Sequence, residues 1–180
     1  MIETERLLLR KPTVEDADDL LAYIADPEVM RWVGGRTGDR AHAVATIERW
    51  LLRWEENGIG PFVLVRGDRV LGRAGFRVWD RSSWQVSSYA DAGERSVAEL
   101  GWALARVHWG QGYATEAARA LRDWVHAERG VRELISLIAP ENVRSQRVAE
   151  KLGAVPAETV DVGGDQAVVW RHPLGHEPAR

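Results

Sequence analysis

The chain of 180 residues contains no cysteine. That excludes a disulfide framework, a thiol nucleophile and a cysteine-ligated metal. Long apolar runs are also missing, and nothing approaches the roughly 20 residues that cross a bilayer. The opening, MIETERLLLR, brings in charge at once. It lacks the apolar core and small-residue cleavage site of a secretory signal, so a soluble cytoplasmic protein with no membrane association is expected. Neither sign of charge dominates: 24 Lys and Arg stand against 27 Asp and Glu, for a net charge of -3. A basic surface for nucleic-acid phosphate is not implied, and no direct nucleic-acid binding is expected. Repeats, low-complexity tracts and a dividing linker are absent. One domain is therefore expected over residues 1–172, with 173–180 as a loose tail.

What is present is an ordinary globular mixture, 45% hydrophobic and 28% charged, enough for one core at this length. Glu5 to Lys11 reads as a strand. Thr13 with Asp16 has the form of a helix cap, and Ala17, Leu20, Leu21 and Ile24 follow at helical spacing. Asp39 is placed to cap a second helix whose apolar stripe is Ala43, Ile47, Trp50, Leu51 and Trp54, with Gly58 past its end. Pro61 to Arg66 and Val70 to Trp79 read as strands joined by Gly67-Asp68. Asp80 to Arg95 has no clear period and is expected to be a long loop. Strands at 97–104 and 133–139, helices at 112–129 and 142–152, and closing strands at 155–160 and 166–171 complete the order. This is an α/β chain with a mixed sheet and helices on its faces.

The segment Trp109-Gly110-Gln111-Gly112-Tyr113-Ala114 joins the strand 97–104 to the following helix. Two glycines let the backbone turn sharply and approach a ligand closely. The helix start then offers unpaired N–H groups and the positive end of its dipole, a setting for a pyrophosphate. The spacing is neither a Walker A loop nor a G-x-G-x-x-G fingerprint, because no Gly-Lys-Ser/Thr ends it and Thr115 stands at the third glycine position. A tight strand-to-helix connection explains the turn alone equally well.

Three ordered motifs carry more. G-Q-G-Y-A-T-E-A follows a strand E-L-G-W-A-L, and P-E-N-V-R-S-Q-R-V-A-E-K-L-G comes about thirty residues later, after an opening T-E-R-L-L-L-R-K-P-T-V-E-D-A-D-D-L. From about Thr4 to Trp170 the chain resembles the GNAT superfamily of N-acetyltransferases, and most closely its RimJ/RimL-type branch of ribosomal-protein N-terminal acetyltransferases. The resemblance implies a single-domain GNAT-like fold. Its mixed, mostly antiparallel sheet has about six to seven strands and splays at a bulged strand 97–104. It implies acetyl-CoA as co-substrate, no metal, and a pyrophosphate held on Gly110, Gln111, Gly112, Tyr113 and Ala114. It also implies thioester polarisation by a backbone N–H near Ala103 or Leu104, pantetheine contact at Asn142, and a thiolate stabiliser at Ser145. Arg147 is placed to reach coenzyme A phosphates. Trp109 stands where the family often has Arg or Gln, and Ala154 where it usually has Phe.

Alternation along 97–104 puts Ala98, Leu100, Trp102 and Leu104 on one face and Val97, Glu99, Gly101 and Ala103 on the other. An amine must be neutral to attack a thioester. An α-amine has a pKa of about 7.7–8.0 and a lysine about 10.4. A carboxylate among small apolar neighbours can take that proton, which makes Glu99 the candidate general base; a solvent-facing Glu is the plain alternative. Asn142 also suits an ordinary helix cap, and Ser145 an ordinary surface serine. His108 has no second histidine at a metal-ligand spacing.

The acceptor is the least legible part. The resemblance favours a protein N-terminal amine. Aminoglycosides, polyamines and amino acids are alternatives, as is a non-catalytic acyl-CoA-binding module. Trp32, Trp79 and Trp84 are candidates to wall the acceptor, and Asp80, Asp91 and Glu94 to attract it. The oligomeric state is left open, a homodimer included.

Overall fold

The computed structural model describes residues 1–174; residues 175–180 of the expected tail lie outside it. Strands β1 (Ile2–Glu3), β2 (Leu8–Arg10), β3 (Pro61–Arg66), β4 (Arg69–Asp80), β5 (Gln85–Ser87), β6 (Ser96–Leu104), β7 (Leu134–Ile138), β8 (Val155–Val162) and β9 (Asp165–Arg171) form one sheet. Its order is β1-β2-β3-β4-β6-β7-β9-β8, with β5 added to β4. All pairs are antiparallel except β6 with β7. The sheet is thus mixed and mostly antiparallel as expected, but it has nine strands rather than six or seven. The extra ones are two or three residues long, too short to show a period.

Helices α1 (Ala17–Ile24), α2 (Pro27–Met30), α3 (Arg40–Asn57), α4 (Tyr89–Ala92), α5 (Tyr113–Arg129) and α6 (Val143–Lys151) surround the sheet. Their ends follow local chemistry. Asp39 accepts from the His42 amide to start α3, and Gly58 closes it at φ 66. The Asp16 carboxylate takes the Thr13 amide at 2.8 Å and forks onto Arg10 at 2.6 and 2.8 Å, tying the end of β2 to the start of α1. The expected loop 80–95 instead holds β5, α4 and a 3-10 turn at Gly93–Arg95.

Strand alternation sorts the core. Leu9, Leu64, Ala74, Phe76, Val78 and Leu100 face α5, which buries Ala117, Leu121 and Val125 against them. Burying each large apolar side chain stabilises the fold by about 1.5–3 kcal/mol. Trp54, Phe62, Phe76 and Trp124 extend this layer as edge-to-face and tilted pairs 4.8–6.1 Å apart. On the opposite face Val63 and Ala103 meet Leu20, Tyr23, Ile24 and Ile47 of α1 and α3.

The sheet opens in its middle. β6 pairs with β4 in one unbroken register from Ser96↔Asp80 to Leu104↔Gly72. It pairs with β7 only at Ala98↔Leu134 and Glu99↔Ile135. The expected splay is there, but no bulge shifts the register against β4; β6 and β7 simply diverge after Glu99. One side chain prolongs the join: Ser136 on β7 donates its hydroxyl to the Leu100 carbonyl at 2.5 Å.

Candidate active site

The divergence leaves the far end of β6 with an open edge. In a strand, N–H and C=O of one residue point the same way and alternate along the chain. The Leu100 carbonyl points at Ser136 and the Leu104 carbonyl accepts the Trp109 indole N–H at 2.9 Å. Trp102 and Leu104 therefore direct their amides into the opening. The Ala103 carbonyl lies against Gly72 of β4, where a Cβ would collide with it. Of the two amides expected at this place, only that of Leu104 faces the gap; Ala103 turns its own to β4.

A groove of about 370 Å³ occupies the opening. Trp102, Ala103 and Leu104 form one wall; Gly110, Gly112, Tyr113, Ala114 and Thr115 form the next; and Asn142, Ser145, Arg147, Val148 and Lys151 of α6 and its cap form the third. The adjoining segments 102–104 and 110–115 are thus brought to one cavity with the more distant segment 142–151.

The turn has the geometry its glycines suggest. Gly110 and Gly112 have φ of 76 and 84, a region that disfavours any side chain. The ladder of α5 begins with Glu116 N–H donating to the Gly112 carbonyl at 3.0 Å. The amides of Tyr113, Ala114 and Thr115 thus have no intrahelical acceptor and point out of the N-terminus. Gln111 is exposed and is not part of the groove wall: its side chain donates back to the Val107 carbonyl at 2.9 Å. What Gln111 offers a ligand is its backbone.

The N-terminal T-E-R segment braces this turn. Arg6 donates to the Gln111 carbonyl at 2.9 Å and pairs with Glu116 at 2.6 Å. The Thr4 hydroxyl and the Arg6 amide both donate to Glu116, at 2.7 and 2.8 Å. Burial works against charge on Glu116, but these donors hold its carboxyl below the usual range. Sequence reading missed this brace, although T-E-R and T-E-A both stand in the motifs.

Asn142 is the cap of α6, its Oδ1 accepting the Ser145 amide at 3.2 Å. The cap and a place in the groove wall are combined in one buried residue. The Ser145 hydroxyl makes no hydrogen bond among the described residues and lines the groove, as does the exposed Arg147. Arg144 stacks over the Trp109 ring at 4.5 Å, which gives that departure from the family pattern a packing role. His108 also lines the groove; burial, with Arg66 nearby, holds its pKa below the ordinary value.

Glu99 is the last residue of β6 to pair with β7, so it sits at the apex of the opening. It is half-buried, on the face away from α5, and its Oε2 accepts the indole N–H of Trp79 at 2.6 Å. The three tryptophans expected to wall the acceptor therefore separate. Trp79 is buried and holds Glu99. Trp84, at φ 50, packs with Trp79 beneath the same region. Trp32 lies instead in the groove with Val29 and Val33. The acidic attraction expected from the 80–95 segment is also mostly consumed. Asp80 is paired with Arg95 at 2.9 Å and hydrogen-bonded by Ser82, which hold its carboxyl far below the usual range. Asp91 is bonded to Ser88.

Among the described residues no cluster of three or more His, Asp or Glu is disposed to hold a metal, and no helix is long and apolar enough to cross a membrane. Residues 6–155 match the family model of the acetyltransferase (GNAT) domain. The chain belongs to the GNAT acetyltransferase family. It is accordingly an acyltransferase enzyme. This GNAT protein is 30% identical over 153 residues to the uncharacterized N-acetyltransferase p20 of Bacillus licheniformis, covering 83% of this chain and 79% of that one. Its fold resembles an acetyltransferase of Agrobacterium tumefaciens str. C58, with a TM-score of 0.75, 28% identity, and coverage of 96% and 93% of the two chains. It also resembles AAC(6')-Ib in complex with paromomycin and acetyl-CoA, with a TM-score of 0.74 at 20% identity and 93% of each chain covered.

Proposed function

We propose that this GNAT protein transfers the acetyl group of acetyl-CoA to a primary amine by direct attack in a ternary complex. One observation carries the reading: Glu99 stands at the apex where β6 and β7 part, and the groove begins a few residues further along the same strand. A carboxylate and an acyl-donor site thus meet at one open edge.

The groove fits the donor. The free amides of the 110–115 turn and the dipole of the 17-residue α5 suit a pyrophosphate, with Arg144, Arg147 and Lys151 along the wall. Apolar Trp102, Leu104 and Val148 suit a pantetheine arm, and the amide-bearing Asn142 its polar groups. The Leu104 N–H is aimed where a thioester oxygen gathers charge. Glu99 accepts the proton of the attacking amine, directly or through a water. The N–C bond forms as the C–S bond breaks, and the Ser145 hydroxyl donates to the departing sulfur. No acyl-enzyme is required.

The motifs shared with the RimJ/RimL branch favour a protein N-terminal amine as acceptor in the cytoplasm. A small-molecule amine is the second reading, supported by the likeness to AAC(6')-Ib. The test is thiol release from acetyl-CoA against amine panels, which is clean because the chain itself has no thiol. Acetyl-CoA should raise the melting temperature and yield free thiol only with an acceptor present. Stabilisation by NAD or ATP but not by acetyl-CoA would overturn the reading.

A further inference from the structure

The face of the sheet that carries Glu99 has an unusual pair of cations. In the β4–β6 register Arg73 lies opposite Ala103, Gly75 opposite Gly101, and Arg77 opposite Glu99. Two residues without side chains therefore form a bare floor, bordered by Arg73, Arg77, Glu99 and Ala103. The Arg73 guanidinium and the Glu99 carboxylate both lean over that floor. A Cβ placed on Gly101 would sit 3.1 Å from Arg73 Nη1 and 3.6 Å from Glu99 Oε1.

Neither arginine has an anionic partner among the described residues. Among the described residues no carboxylate lies within 4.0 Å of Arg73 or Arg77, although Glu99 is so near. Arg77 is over the Trp79 ring at 5.5 Å, and Arg73 is met by the Tyr23 hydroxyl of α1. Tyr23 is buried and its pKa is pushed up to about 12, so it supplies no negative charge. Burial lowers the pKa of the Arg73 guanidinium, and Arg77 lowers it further against the opposing pull of Tyr23 and Glu99. Two guanidiniums against one carboxylate leave this face of the sheet short of an anion, and a half-buried cation without a partner is costly.

We propose that the acceptor is a free amino acid, its amine at Glu99 and its carboxylate on Arg73, with Arg77 adding to the attraction. This rests on the acetyl-transfer reading and takes its small-molecule branch, against the protein N-terminus that the motifs favour. A carboxylate two or three bonds from the nitrogen spans the gap between the two groups over Gly101, and a planar guanidinium takes it as a fork. A polyamine or an aminoglycoside would bring further positive charge against two unpaired arginines. A protein N-terminus has an amide in place of the carboxylate and leaves Arg73 unanswered.

The experiment compares matched pairs in the thiol-release assay at saturating acetyl-CoA: each amino acid against its carboxamide, alongside spermidine, kanamycin and short peptides with free N-termini. For at least one amino acid, kcat/KM should exceed that of its carboxamide by about ten-fold or more. Arg73→Gln should level that pair through KM while the KM for acetyl-CoA stays unchanged. Arg77→Gln should act in the same direction more weakly, and it serves if Arg73→Gln does not fold. Equal or better turnover of carboxamides, peptides or polyamines overturns the amino-acid proposal and leaves acetyl transfer standing. Bound acetyl-CoA with no amino acid turned over also overturns it. Failure to bind acetyl-CoA at all overturns the transfer reading instead.

Discussion

The indole N–H of Trp79 donates to Glu99 Oε2 at 2.6 Å, joining two diagonal neighbours across β4 and β6 that are twenty apart in sequence. This bond fixes the carboxylate at the apex of the sheet opening. Trp79→Phe keeps the buried ring and removes only the donor. We expect kcat to fall by roughly ten-fold, in line with a lost hydrogen bond to a charged group. The KM for acetyl-CoA should not change, because Trp79 is no part of the groove wall. Steady-state kinetics with both substrates varied checks this split.

The glycine turn should be intolerant for a backbone reason. Gly112 is at φ 84, and a Cβ there would also crowd Arg6 Nη2 at 3.3 Å. Gly112→Ala should cost about 1–2 kcal/mol from the left-handed conformation. Titration calorimetry should show acetyl-CoA affinity lowered about ten-fold or more, with the amides of α5 displaced. Arg6→Gln, which loosens the brace on Gln111 and Glu116 without touching a glycine, should weaken binding in the same direction and by less.

Stability should depend on pH through His172. Ser136 gives its proton to the Leu100 carbonyl, so the contact of 2.9 Å with His172 makes Nε2 the donor and leaves Nδ1 buried without a partner. Burial, with Arg122 and His126 nearby, pushes the imidazole down to about 4. The unfolded chain then binds a proton near pH 6.5 that the folded chain refuses. Folding stability is unaffected by His172 above that pH and declines as pH falls from about 6.5 to 4, by at most about 1.4 kcal/mol per pH unit. Thermal melts between pH 7 and 4.5 should show the decline, and His172→Phe should flatten it.

Much of the site was legible because it is local. The turn, the cap at Asn142 and the placement of Glu99 on a strand face each depend on a few neighbouring residues. What escaped depends on register. Alternation says that Trp79 and Glu99 each face one side of a strand, but only the pairing of Trp79 with Val97 brings the indole to the carboxylate. The same holds for Arg73, whose significance appears only when Gly75 falls opposite Gly101. The segment 80–95 looked structureless because β5, α4 and the 3-10 turn are each three or four residues long, below the window in which a period can be read. The brace of Thr4 and Arg6 on Glu116 spans more than a hundred residues, and no local pattern announces it.

The central claim is that Glu99 takes the proton of an amine attacking acetyl-CoA held in the adjoining groove. The most direct measurement is the rate of thiol release together with the Kd for acetyl-CoA, for the wild-type protein and Glu99→Gln, with one acceptor the wild type uses. The account predicts an unchanged Kd and a kcat lower by about 10²–10⁴-fold, the usual weight of a general base. An unchanged kcat would contradict it.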